Sequence, residues 1–394
     1  MLQSRIRQQF ALIRDRVDRI VSPPDIGRIP NKIRSGFASF TADQYKNWIL
    51  YFSLLALRDI LCGEHLECWR HFILACRLLC SKQITHDQVK LADTLLLHFC
   101  KRTERLYGKE KITPNMHMHT HLSECILDYG PSHVFWLFSF ERYNGILEDM
   151  PNNNRSIEIQ LMKRFLENNS PLCTPVEYQE EFKPLFKPKR VVGTLSDCFV
   201  PPSAFPPLST PLAASPSITV WCMNSQHQLP KHSQRGVFTQ SEVDGLKLLY
   251  SELANVPSSS IDIPNAFLKY QQVTVYGKVL GSYTCRSAAS SVVMAVRNPV
   301  TAERPAQVNY FARHTVTIAD TQHTFLLFRA SWYKLHRNKD AYGKPITVWE
   351  SDIYELPDSR SIVPIQFITS RTVSLTDKLP CGETVLLVCP CVDF

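Results

Sequence analysis

"QVNYFARHTVTI" (residues 307–318) and "HTFLLFRASWY" (323–333) decide the fold class of this chain. Both runs are rich in β-branched and aromatic residues and partly alternate in polarity. Such residues suit a pleated, half-buried strand. Similar short runs surround them: "QQVTVYGKVLG", "ITVWE", "IVPIQFI" and "ETVLLVCPCV", divided by turn segments such as "KDAYGKP" and "LPDSR". Residues 266–394 therefore predict a small antiparallel β-barrel or sandwich. Trp332, Tyr333, Trp349 and Phe367 are expected in its core.

Upstream the period changes from two to between three and four. Leu2, Ile6, Phe10, Ile13, Val17 and Ile20, with arginines between them, predict an amphipathic basic helix over residues 1–24. It either lies on the folded domain or offers arginines such as Arg5 and Arg14 to DNA phosphates. "SPPDIGRIP" ends it. Residues 25–170 read as successive helices. Thr41 is the expected N-cap of "ADQYKNWILYFSLLALRDIL". "HLECWRHFILACRLLC" and "THDQVKLADTLLLHFCKRTERLYG" follow, then a helix from Pro114 through three histidines. "DYGPSH" breaks the pattern before "VFWLFSFERYNGILEDM" and "IEIQLMKRFLEN". Residues 171–265 are assigned to a Pro/Ser-rich linker, with one short amphipathic helix near 239–254. The fold class is thus α+β.

The chain has 394 residues, 44% hydrophobic and 20% charged, enough for a sizeable core. No apolar run reaches the length of a membrane span, and the first twenty residues do not form a secretory signal. A cytoplasmic or nuclear protein is expected. Its 13 cysteines are scattered, without a C-x-x-C pair, which predicts reduced thiols rather than a disulfide framework. The net charge is +8, and the first fifty residues hold nine Lys/Arg against four Asp/Glu. That balance permits nucleic-acid contact. No G-x-S-x-G and no phosphate-cradling glycine loop is present, so the usual nucleophile and nucleotide motifs are missing, and no small-molecule substrate is expected.

The chemistry-bearing stretch is "HMHTHLSECILDYGPSHVFWLFSFERYNGILEDMPNNNRSIE", residues 117–158. His117 and His121 are four apart, so on one helix their imidazoles would share a face and could give two nitrogens to Zn²⁺. Two further ligands would be needed. Glu141 sits in the apolar run "FWLFSFERY". It is either a structural or exposed carboxylate, or a metal- or proton-handling one.

This stretch resembles the C-terminal portion of the transposases of CACTA (En/Spm-type) DNA transposons. The resemblance rests on His117, His121, Leu122, Gly130, Pro131, Trp136, Phe140, Glu141, Arg142, Tyr143, Asn152, Asn154 and Glu158, and it covers roughly residues 25–168. It implies an RNase H-like fold and DDE chemistry, in which carboxylates hold Mg²⁺ for attack on a phosphodiester. By resemblance Glu141 would be the third acidic residue. His117 and His121 would be half of a zinc site completed by an earlier C-x-x-C. The family's two aspartates and C-x-x-C should precede the helical region, yet only about thirty residues come before "FASFTADQ". Asp15, Asp18 and Asp25 lie in the first helix or its exit. The expectation is a truncated or domesticated derivative, catalytically inactive alone, nuclear, and retaining DNA or protein binding. The β-rich tail resembles the small β domain at the C-terminus of related transposon proteins, and more loosely the bromo-adjacent-homology barrels of chromatin proteins. Arg142, Arg313, Lys334 and Arg337 are the other expected nucleic-acid contacts, with His336 beside them. A chromatin-type protein partner for the β domain is the alternative.

Overall fold

A computed structural model describes residues 2–27, 40–149, 156–169, 218–285, 291–298, 301–355 and 361–392. It contains both helices and antiparallel sheets.

Helix α1 spans Leu2–Arg19. Its apolar stripe is used: Ile13 and Val17 are buried, with Phe10 and Ile20 packed at the rim. Past its end, Val21 exchanges two backbone hydrogen bonds with Ser374, at 2.8 and 2.9 Å. The helix therefore lies on the folded body. Arg16, on its inner side, is only 5% exposed. It donates to the carbonyls of Ala56 (3.2 Å) and Arg58 (2.5 Å), and so satisfies acceptors left over at a helix C-terminus.

That helix is the next layer. Helix α2 (Ala42–Asn47) opens with Thr41 in a reciprocal capping box with Gln44. A π-helical turn, Trp48–Phe52, follows, and then α3 (Ser53–Leu57). α4 (Gly63–Leu79) and α5 (His86–Tyr107) pair beside it, and Thr85 and Gln88 cap α5 in the same way. Leu55, Ala56 and Ile73 have no exposed surface. Full burial of one such leucine or isoleucine stabilises by about 1.5–3 kcal/mol.

The expected single helix through the histidines is two helices. α6 is Pro114–His119 and α7 is Leu122–Tyr129. Thr120 causes part of the break, because its hydroxyl donates to the His117 carbonyl at 2.6 Å and competes with the backbone ladder. α8 (Phe138–Glu148) and α9 (Ile157–Asn169) complete the helical part. Asn152 and Asn154 lie outside the described residues.

Within the stretch assigned to a linker, residues 171–217 lie outside the described residues, but residues 218–265 are folded. Trp221 is buried, edge-on to Phe367 at 5.4 Å, and Gln366 donates to its carbonyl at 3.2 Å. Two short strands follow, β1 (His227–Gln228) and β2 (Gln234–Val237). Helix α10 (Gln240–Ala254) has Thr239 and Glu242 as its capping box. α10 falls on the helix expected near 239–254, but β1, β2 and the turn at Trp221 are too short to show a hydrophobic period, which is why their sequence reads as linker.

The remaining strands are β3 (Ile261–Asp262), β4 (Ala266–Tyr270), β5 (Gln272–Val275), β6 (Lys278–Gly281), β7 (Val292–Ala295), β8 (Arg304–Ile318), β9 (Thr321–Leu335), β10 (Thr347–Tyr354), β11 (Ile362–Pro364), β12 (Ile368–Lys378) and β13 (Thr384–Pro390). β1, β5 and β6 make a small sheet. The large sheet runs β11-β9-β10-β13-β12-β7-β8-β4-β2, and β8 also pairs with β9. The pairings β8–β9–β10–β13–β12–β7–β8 thus form a closed circuit of six antiparallel strands.

Three apolar clusters use the faces of these strands. α10 puts Leu246, Leu249 and Tyr250 against β8 and β9. Helices α1–α4 cover Val348, Val373, Leu375, Val385 and Leu387 of β10, β12 and β13. Met294, Tyr333, Trp349, Leu386 and Val388 form a small third cluster. Trp332 and Trp349 are each 2% exposed and Phe367 is fully covered, as the sequence predicts for core aromatics. The helical half and the β half therefore share a core.

Candidate functional site

The histidine motif is on the surface. His117 is exposed, and its ring stands edge-on to that of His121 at 5.1 Å. His121 Nδ1 lies 3.3 Å from Glu124. His119 turns inward against Phe72, and burial lowers its pKa. Among the described residues, neither His117 nor His121 belongs to a group of three or more metal-ligating side chains. Two imidazoles at a helix junction do not fit a four-ligand zinc site. Glu141 is exposed in the first turn of α8 and belongs to no such group, so it does not fit a two-Mg²⁺ carboxylate centre. Purified protein is accordingly expected to carry less than about 0.2 equivalents of zinc by elemental analysis, unchanged by His121→Ala. Stoichiometric zinc lost on that substitution would contradict this placement.

The expected basic contacts are dispersed. Arg14 is exposed on α1, and the side chains of Arg5 and Arg142 lie outside the described residues. Arg313 is opposite Leu326 in the β8–β9 register, and Lys334 is eight residues further along β9, about 26 Å away at strand spacing. Arg337 is exposed and held by Glu383 at 3.1 Å. His336 is buried, not a surface contact. The sequence expectation that Arg313 groups with Lys334, His336 and Arg337 is corrected: Arg313 is set apart along the strand, and His336 is buried.

His336, Glu350 and Glu383 do lie within 4.8 Å of one another. The histidine tautomer argues against a cation there. Nδ1 accepts the Asn338 N–H at 3.1 Å, so in the neutral ring Nε2 carries the proton. That nitrogen is 3.5 Å from Glu383, and a protonated ring nitrogen has no lone pair in the ring plane to give a metal.

A different feature has the form of a binding site. A cavity of about 520 Å³ is lined by Lys269, Gln271, Tyr283, Thr284, Gln307, Asn309, Tyr310, Arg329, Ser331 and Tyr354. β8 bulges at the edge of this cavity. Val308 is opposite Ala330, but Tyr310 is opposite Arg329, so Asn309 is an extra residue. The bulge breaks the alternation and leaves Asn309 and Tyr310 both partly exposed.

The polar groups of the cavity hold one another in place. Asn309 Nδ2 donates to Ser331 Oγ at 2.9 Å. Tyr333 donates to Gln307 Oε1 at 2.8 Å, and Gln307 Nε2 donates to Ser291 at 2.7 Å. Gln271 Oε1 accepts from Ser282 and from Thr284 (2.6 Å), which leaves its amide N–H groups as donors. Lys269 Nζ sits 4.8 Å over the Tyr310 ring, whose other neighbour is Phe267, stacked at 5.6 Å. Arg329 pairs with Glu242 of α10. Burial pushes the Tyr310 phenol up to about 12 and raises Tyr333 further, so both remain neutral. Tyr283 is 57% exposed, and its backbone N–H is tied to the Val308 carbonyl at 2.9 Å.

None of these residues forms a linear motif, and they come from separate strands and connections. The one sequence signal is the interrupted alternation in "QVNYFAR". No protein-family model, no curated protein and no solved structure matches this chain.

Proposed function

We propose that this protein is a non-catalytic nucleic-acid-binding protein of transposase descent, and that the cavity beside β8 and β9 is its contact surface. The observation that carries this is the chemistry of the lining. It holds two sets of N–H donors, Lys269 Nζ and the Gln271 amide, together with tyrosine hydroxyls that can donate or accept. Such a surface suits phosphates and base carbonyls. The descent rests on the sequence resemblance over residues 25–168. In this reading the six-stranded circuit is a small barrel, the helical part is inherited from an RNase H-like domain, and Glu141 is inherited scaffold. A nuclear location accompanies it. Mg²⁺ and Zn²⁺ take no part.

Fluorescence anisotropy with a labelled oligonucleotide and the full chain tests the proposal. Binding is expected to weaken steeply with salt, because phosphate contacts release counterions. Lys269→Glu is expected to reduce affinity about tenfold or more, while Arg14→Glu on α1 leaves it unchanged. Absence of binding at about 50 mM salt would sink the proposal. Loss through Arg14→Glu alone would move the contact to the basic helix. A protein partner is the second reading. It is favoured by the large apolar side chains exposed on α7–α9, among them Tyr129 (67%), Phe140 (66%) and Ile159 (71%).

A further inference from the structure

We infer that the cavity takes unpaired bases, one or two nucleotides of a single strand, in preference to a duplex. This inference rests on the nucleic-acid reading above. The first argument is shape. Duplex DNA shows its base edges only at the floor of grooves about 6 to 12 Å wide, and a protein reads them with a protruding helix or ribbon. The site here is a shallow, largely open depression beside the β8 bulge. A recess can receive a base that has left its stack, but it cannot reach into a groove.

The second argument is the tyrosines. Tyr283 is 57% exposed and Tyr354 is 37% exposed, and both line the cavity. The Tyr354 ring packs on Tyr333 at 4.8 Å, and the Tyr283 backbone N–H is bonded to the Val308 carbonyl, which sets where its exposed ring starts. Exposed rings of this kind are stacking platforms, and every base has a π-face to offer them. Tyr310 is not such a platform, because Lys269 and Phe267 flank it. It positions the ammonium beside the rings, where the strand's phosphates would run.

The third argument is hydrogen bonding. The carbonyl oxygen of Gln271 is engaged by Ser282 and Thr284, so its amide is turned in one sense. Its remaining N–H donors match the carbonyl acceptors of a pyrimidine, which a duplex shows only on its groove floors and an unstacked base can bring into the recess.

The test compares a thymidine oligomer of about 12 nucleotides with a hairpin duplex of similar length, each titrated by anisotropy against the full chain at one salt concentration. The single strand is expected to bind at least about tenfold tighter. Tyr283→Ala is expected to weaken it between about 5- and 100-fold, from the usual contribution of one stacked base. Tyr283→Phe keeps the ring and is expected to stay within about twofold of the parent. Duplex affinity should be the same in all three proteins. Equal or tighter duplex binding, or a single-strand affinity indifferent to Tyr283→Ala, overturns the inference. If Lys269→Glu still weakens binding in that case, the broader nucleic-acid reading survives. Failure of both probes to bind would end both.

Discussion

Replacing Asp377 by alanine is expected to destabilise the protein by about 3–5 kcal/mol, seen as a large fall in the denaturant midpoint of the full chain. Asp377 is on β12 with its side chain 12% exposed, and three arginines converge on it. Arg16 Nε is 3.1 Å away and Arg19 Nη2 is 3.1 Å away, while Arg58, 1% exposed, makes a short contact. Asp59 adds a weaker contact to Arg16 at 3.5 Å. Without the carboxylate, Arg16 and Arg58 would be two buried cations left with Asp59 alone, at 3.5 and 3.7 Å. The cost lies in that excess buried charge more than in any lost attraction. Arg58 also donates to the Leu55 carbonyl at 3.0 Å and lies over Tyr342, so it cannot swing into water without breaking the end of α3. Arg58→Met should be costly alone, yet the double variant should fall short of the sum by at least about 1 kcal/mol. A loss below about 1 kcal/mol for Asp377→Ala would mean that water screens the cluster like a surface pair. Acid should act through the same groups. Burial pushes the Asp377 carboxyl up, but Arg58 and its neighbours hold it below the ordinary range. Asp25, paired with Arg371 and Lys278, is lowered to about 2. Both contributions are present above the unfolded carboxylate value of about 4 and are lost as pH falls through the folded values.

This cluster shows what the sequence could and could not reveal. The N-cap at Thr41 is legible because a cap is a local pattern, and the helices that follow Thr85 and Thr239 are legible because an apolar period is local too. The strands of the C-terminal part were legible because β-branched and aromatic runs are local as well. Nothing local marks Arg16 for burial, since its partner is 361 positions away and no local rule connects them. The same distance problem hid the sheet order: β7 pairs with β12, from the far end of the chain. Residues 218–237 were read as linker because a buried Trp221 carries no period of its own. The histidine motif failed in the opposite way. Its i, i+4 spacing was correct, but Thr120 ends the helix between the two rings. The cavity was the least legible feature, because a bulge and long-range pairing assemble it from separate strands, each giving one or two side chains.

His314 provides the second large effect, and its sign can be worked out from its bonds. The ring is fully buried. Nε2 is 2.8 Å from the Pro264 carbonyl, which can only accept, so that nitrogen carries the proton. Nδ1 then accepts from the Tyr250 hydroxyl at 2.8 Å. Every polar atom of the neutral ring is satisfied, and a second proton would charge it inside an apolar cluster. Burial therefore lowers its pKa, against a smaller opposing pull from the Pro264 carbonyl. His227 is depressed for the same first reason, with Nδ1 accepting from the Asn224 N–H at 3.0 Å. A histidine lowered in the folded state contributes stability that is complete above the unfolded value of about 6.5 and is lost as pH falls toward the folded value. The unfolding free energy should thus decline below about pH 6.5, by up to about 1.4 kcal/mol per pH unit for each such histidine. His314→Leu should remove one proton's worth of that slope. It should also cost about 3 kcal/mol at neutral pH, because it strands the buried Tyr250 hydroxyl and the Pro264 carbonyl. Adding Tyr250→Phe should recover part of the loss, since an apolar ring leaves nothing unpaired at that end. If the slope below pH 6.5 is the same in His314→Leu and its parent, the proton is taken up elsewhere and the neutral-ring assignment fails.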